Sequence, residues 1–221
     1  MSLDLVIRNG TVLDGTGAEP ISADLAIESG RIAAVGFVPP AECAEIDAAG
    51  LAVAPGFIDI HSHSDYTLLI DPRAASAIHQ GVTLEVVGNC GFGCFPIGEP
   101  RLARKAIYGY SDDIPLDWST AGGYFDRLEQ AGPAVNVLSL VPNGQLRLTT
   151  VGLEERPADT PELARMGDLL RESLGEGAWG YSTGLEYAQE AGATEEEITA
   201  LCRALDGQLY ATHTQIGRAH V

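Results

Sequence analysis

The chain of 221 residues, 45% of them hydrophobic, is long enough for one large domain, or for one domain and part of another, around a sizeable core. Its 13 basic and 31 acidic residues leave a net charge of −18, which disfavours nucleic acid or an anionic membrane as partner. The start MSLDLVIRNG lacks a signal-peptide pattern and no run of about 18 apolar residues follows. A cytoplasmic location is therefore expected, where Cys43, Cys90, Cys94 and Cys202 would stay thiols.

The first fifty or so residues read as a small antiparallel sheet. DLVIRNGTVLDG alternates around an Asn9-Gly10 turn, and ADLAIESGRIAAVG around Ser29-Gly30. LAVAPGFIDIH then reads as a buried strand that ends in polar groups. Strands and helices alternate from there. Strand 57–60 precedes a helix with Asp71 as N-cap, Pro72 at its first position and Gly81 past its end. Strand 83–88 leads through a Gly- and aromatic-rich excursion to a helix over Tyr124–Gln130. Strand 134–141 leads to a helix opened by Thr160-Pro161 and closed near Gly175. Strand 178–182 leads to a helix with a Thr194/Glu197 capping box and a buried stripe of Ile198, Leu201 and Leu205. QLYAT (208–212) is the fifth strand.

Five strands joined by helical crossovers imply a parallel α/β sheet, either doubly wound or a barrel. No G-x-G-x-x-G follows the first of these strands, where His61-Ser62-His63 stands instead, and this favours part of a (β/α)8 TIM-type barrel. The expected division is residues 1–54 as a small β domain, 55–215 as the barrel part, and 216–221 as a separate tail.

Active sites in barrels lie at the C-terminal strand ends. There the chain carries His61 and His63, then Cys90, Asn143, Ser182 through Glu186, and His213. Two histidines one residue apart on a strand point the same way, and imidazole with thiolate is the preferred donor set of zinc. A pair of surface histidines is the plainer reading, and a buried thiol in a glycine-rich turn is the plainer reading of Cys90 in GNCGFG. Cys90 and Cys94 share a loop without the C-x-x-C spacing of a redox pair. His79, Cys43 and Cys202 read as structural. Asp59 and Asp65 flank the histidines and would orient them by accepting an N–H bond, or else cap or pair. Glu186-Tyr187 lines a pocket, with Glu186 a ligand or base, or belongs to an ordinary loop.

PGFIDIHSHSDYTLLIDP, VVGNCGFGCFP, PLDW, GYSTGLEY and YATHT resemble the N-acyl-D-amino-acid deacylases (D-aminoacylases) of the amidohydrolase superfamily, over the chain to about Thr214. The resemblance implies a small β-sandwich joined to a zinc-bearing barrel with one or two ions. His61 and His63 would serve one metal position, Cys90 would serve or bridge both, and His213 the tighter one. Tyr187 would lie near a small N-acyl amino acid substrate, and a general-base aspartate is expected beyond the chain end, so that residues 1–221 alone would be inactive. The activity implied is hydrolysis of a linear amide by metal-activated water. The alternatives are a cyclic-amide hydrolase of the dihydroorotase or hydantoinase kind and a non-catalytic metal-binding or scaffold protein. Relatives often carry G-H-G-x-L-R where Pro142-Asn143-Gly144-Gln145-Leu146-Arg147 stands, so an amide replaces a histidine. The tail Ile216–Val221 can be encoded by the start of a common sequencing adaptor, and is expected to be non-native, with His220 no ligand.

Overall fold

The computed structural model describes residues 3–214, and the chain divides into two compact units, Met1–Gly56 and Phe57–Val221. The reading of residues 216–221 as a non-native tail lies outside the described residues.

In the first unit, β1 (Leu5–Val12), β2 (Ile21–Glu28) and β3 (Arg31–Gly36) pair antiparallel, whereas β4 (Ala44–Asp47) and β5 (Ala52–Val53) both join β1 in parallel. The sheet is thus mixed and not purely antiparallel. Ser29-Gly30 is the expected two-residue turn, with the positive φ values of 51° and 70° that match such a turn to the right-handed twist of its strands. Asn9-Gly10 is not a turn. Strand β1 runs straight through it with a register shift between Ile7 and Gly10. The neighbours of Asn9 explain why: its N–H donates to Asp24 Oδ1 at 2.9 Å and its side chain to Asp47 Oδ1 at 3.0 Å, which anchors a bulge at φ 60°.

The second unit begins with β6 (Phe57–Asp59), α1 (Thr67–Ile70), α2 (Ala75–Ile78) and β7 (Val82–Val87). It continues through α3 (Pro100–Ala103), α4 (Ala121–Ala131), β8 (Asn136–Ser139), β9 (Val141–Pro142), α5 (Asn143–Thr150) and α6 (Thr160–Gly175). It closes with β10 (Gly180–Thr183), α7 (Glu195–Arg203) and β11 (Leu209–Thr212). Two parallel sheets, β6-β7-β8 and β9-β10-β11, meet where the expected strand 134–141 breaks at Leu140. Backbone bonds cross this break: Leu140 N–H donates to Val87 and Trp179 N–H to Ser139. The strands therefore succeed one another in space in chain order, without the reversal of a doubly wound sheet.

Helix punctuation explains several boundaries. Asp159 accepts from Glu162 N–H while Glu162 reaches back to the Asp159 N–H, a capping box that opens α6. Thr120 caps α4 and Gly132, at φ 66°, stops it. Thr194 caps α7 through Glu197 N–H, but Glu197 does not complete the expected box, because its carboxylate is buried against Arg147. Asp71 ends α1 instead of capping α2, whose N-cap is Ala74. Strand β6 is not buried, since Phe57 is 64% exposed at the sheet edge. The core lies between strands and helices, around Tyr66, Phe95, Tyr124, Met166, Leu170 and Tyr181, each fully buried. Each such side chain contributes on the order of 2 kcal/mol by leaving water. Among the described residues no helix is long and apolar enough to cross a membrane.

Candidate metal centre

The C-terminal ends of these strands bring distant residues together. Strand β6 ends at Asp59, and the turn after it carries His61 and His63, whose rings meet edge to face with centroids 5.4 Å apart. Their convergence thus depends on a turn and not on strand alternation. Strand β7 runs into a tight turn, Asn89–Gly91, where Gly88, Cys90 and Gly91 all have positive φ, of 75°, 56° and 73°. For cysteine this left-handed conformation is strained, and surrounding contacts must hold it.

Those contacts are specific. Gly91 N–H donates to Ser182 Oγ at 3.1 Å, and the same hydroxyl donates to the Gly88 carbonyl. Gly88 N–H donates to Asp65 Oδ1 at 2.6 Å. A Cβ at Gly88 would overlap the Leu140 carbonyl, one at Gly184 the Cys90 carbonyl, and one at Gly91 the Glu190 carboxylate. The turn is therefore packed against backbone carbonyls at Gly88 and Gly184 and against a carboxylate at Gly91, a closeness that only glycine permits.

The Cys90 Sγ lies 3.1 Å from His61 Nε2 and 3.3 Å from His213 Nδ1. One donor atom each from His61, His63 and Cys90 lies within 4.8 Å of the others. The Nδ1 of His63 is buried without a hydrogen-bond partner. Zinc bonds of about 2.0–2.3 Å place its ligands roughly 3–4 Å apart, which the Cys90 contacts to His61 and His213 match, and His63 adds a buried unpartnered imidazole nitrogen to the group, so the donor chemistry fits such an ion. His213 Nε2 meets Glu186 Oε1 at 2.7 Å. Burial, then the charges of Glu190, Glu186 and Asp65, push the Cys90 thiol up to about 11. Burial and the neighbouring His61 and His213 lower the His63 pKa, which favours the neutral, metal-ready imidazole.

Asp59 and Asp65 do not bond the imidazoles as expected. Asp59 accepts from the His61 backbone N–H at 3.0 Å, because it sits two residues before it and closes the turn. Asp65 is wholly buried beneath Gly88, and burial lifts its carboxyl to about 7. Tyr187 packs on Phe92, centroids 4.8 Å apart, and on the His213 ring at 5.4 Å, while Tyr108 lies 5.4 Å from His63. Cys94 is a buried free thiol beneath the turn, whose carbonyl accepts the Trp118 indole N–H; all four cysteines are free. His79 caps the end of α2.

Asn143 and Glu190 were not legible as a pair. Asn143 Nδ2 donates to Glu190 Oε2 at 2.8 Å, and Tyr181 OH donates to Asn143 Oδ1 at 2.7 Å. Gly184 N–H also donates to both Glu190 oxygens. Burial lifts the Glu190 carboxyl to about 7. A lone Glu in AQEAGA has no periodicity to mark it, and its partner is 47 residues away.

Successive parallel strands with imidazole and thiol donors gathered at their C-terminal ends are what a metal-dependent hydrolase of the amidohydrolase class would show. The chain belongs to that family: the amidohydrolase family model matches residues 44–216. It is 37% identical over 230 residues to a D-aminoacylase of Alcaligenes xylosoxydans xylosoxydans, covering 99% of this chain and 46% of that protein. It superposes with a TM-score of 0.87 and 34% identity on N-acyl-D-glutamate deacylase from Bordetella bronchiseptica, solved with zinc and a phosphonate mimic of the tetrahedral intermediate, covering 96% of this chain and 45% of that one. A D-aminoacylase structure described for its binuclear metal centre matches with a TM-score of 0.87 and 37% identity, covering 97% and 46%. The chain thus spans about half the length of the relatives it matches.

Proposed function

We propose that residues 1–221 supply the metal-binding part of a protein that hydrolyses the linear amide of a small N-acyl-D-amino acid, with zinc held by His61, His63, Cys90 and His213. The observation that carries this is the Cys90 sulfur set between two imidazole nitrogens at 3.1 and 3.3 Å. When bound, zinc lowers the pKa of water to about 7 and polarises a carbonyl oxygen.

The chain's own residues prepare that chemistry. Glu186, by accepting from His213 Nε2, fixes the tautomer that leaves the Nδ1 lone pair facing Cys90. Asp59 holds the His61 main chain, and Ser182 braces the Cys90 turn from two sides. Phe92, Tyr108 and Tyr187 form an aromatic wall beside the histidines that suits the apolar part of an N-acyl amino acid. The second unit is read here as the first five strands of a (β/α)8 barrel, supported by the parallel order of its strands and by the exposed Ile58, Ile60 and Leu209 at their two edges. The first unit is read as part of a β-sandwich.

The test is a substrate panel with the purified whole protein: N-acetyl-D-amino acids, their L enantiomers, and cyclic imides such as dihydroorotate and hydantoins. Release of free D-amino acid that is lost on chelation and regained with zinc is the expected result. Turnover of the cyclic imides alone, or deacylation indifferent to chelation, would refute the proposal.

A further inference from the structure

We infer that Glu190 is a positioning residue, a buried carboxylate clamp that holds Cys90 in its left-handed, metal-facing conformation through Gly91 and Gly184. The inference rests on the reading of Cys90 as a ligand and deepens it.

Three observations carry it. Glu190 is 1% exposed and lies so close to Gly91 that no Cβ fits between them, which places the carboxylate directly against the residue following Cys90. Its two oxygens accept from Gly184 N–H at 3.2 and 3.1 Å, and Gly184 in turn abuts the Cys90 carbonyl. The strained turn is thus gripped on both sides by one group. The hydrogen bonds also select a glutamate at this position. Tyr181 OH donates to Asn143 Oδ1, so the amide presents only its Nδ2 donor towards Glu190. With Gly184 N–H and Asn143 Nδ2 both donating, the position calls for a group that only accepts. Glutamine, of equal size, would set its own NH2 against one of them. A carboxylate behind the thiol also adds negative charge to a site that would hold a cation.

The experiment compares Glu190→Gln, the swapped pair Asn143→Asp/Glu190→Gln and Cys90→Ala in the purified whole protein. Zinc affinity is read by competition with a chromophoric chelator, and the Cys90 bond by the near-ultraviolet thiolate-to-cobalt band after cobalt substitution. Glu190→Gln is expected to weaken zinc binding about 10- to 100-fold, as loss of a group that orients a ligand does, and to diminish the cobalt band. The swapped pair restores a donor facing an acceptor and is expected to recover most of both. Wild-type affinity and band in Glu190→Gln, or a swapped pair as weak as the single variant, would overturn the inference. If Glu190→Gln does not fold, the swapped pair decides: near-native affinity supports the clamp and its loss refutes it. Cys90→Ala separates the two claims. If it loses zinc while Glu190→Gln keeps it, only the clamp fails; if it binds zinc normally, the metal reading fails and the clamp with it.

Discussion

Cys90 and His61 are 29 residues apart in the chain, yet the sulfur of one lies 3.1 Å from the Nε2 of the other, and the cysteine adopts φ 56° to reach it. A residue held in that conformation at a cluster of donors is better explained by what its side chain meets than by local propensity. Cys90→Ala and Cys90→Gly both remove the sulfur, and both are expected to weaken zinc binding by more than ~100-fold, beyond the loss seen for groups that merely orient ligands. They differ in backbone strain. Denaturation of the metal-free proteins is expected to find Cys90→Gly more stable than Cys90→Ala by about 1 kcal/mol, since glycine accepts positive φ freely.

Gly91→Ala puts a methyl group onto the Glu190 carboxylate at φ 73°, where backbone and side chain must both shift. A loss of roughly 3 kcal/mol or more is expected from combined strain and overpacking. Gly132→Ala, at φ 66° with open space around it, is the control and is expected to cost only about 1 kcal/mol. Equal midpoints for the two in a urea titration would show that the Glu190 contact is unimportant.

Arg147 and Glu197 form an ion pair with both side chains almost wholly buried, two N–H···O contacts of 2.7 Å tying α5 to α7. Arg147 also donates to the Arg156 carbonyl, and Glu197 accepts from Ala158 N–H. Removing one partner strands a buried charge, so Arg147→Met or Glu197→Leu is expected to cost about 3–5 kcal/mol. The double variant leaves no unpaired charge and is expected to be more stable than either single one. A double variant that shows the summed loss in equilibrium denaturation would contradict this account.

Glu162 offers a pH test away from the site. Hydrogen bonding from Arg156, then from the Asp159 N–H, holds its carboxyl down to about 2, against an ordinary 4.5. The folded pKa is depressed, so the contribution is present above about 4.5 and is lost as pH falls towards about 2. The stability gap between wild type and Glu162→Gln should therefore be widest near neutrality and shrink by pH 3. High salt should shrink it too, because the pair is near solvent. A gap that grows on acidification would reverse the sign and exclude the mechanism.

How far the sequence discloses this protein depends on whether a signal is local. The start of α6 at Thr160-Pro161 and its end at Gly175 are written in caps and stops, and the structure follows them. Helix α5 is not so written. Its residues NGQLRLTT show no apolar stripe, because Asn143, Gln145 and Arg147 are all buried and are satisfied by distant groups, including the Gly93 and Ala103 carbonyls and Glu197. Asn9-Gly10 carries the strongest hairpin dipeptide, yet Asp24 and Asp47 turn it into a bulge within β1. At the candidate site, His61, His63, Cys90 and His213 stand out as candidates in the sequence because chemically matched residues fall just past strand ends. Glu190 was not, because the burial of a carboxylate behind a turn is a tertiary fact.

The most direct test of the central claim is X-ray absorption at the zinc edge on the purified whole protein. One sulfur scatterer at about 2.3 Å beside nitrogen and oxygen at about 2.0–2.2 Å is the predicted shell, with the sulfur missing in Cys90→Ala. A wild-type shell of nitrogen and oxygen alone would show that Cys90 is not a ligand and would contradict the account.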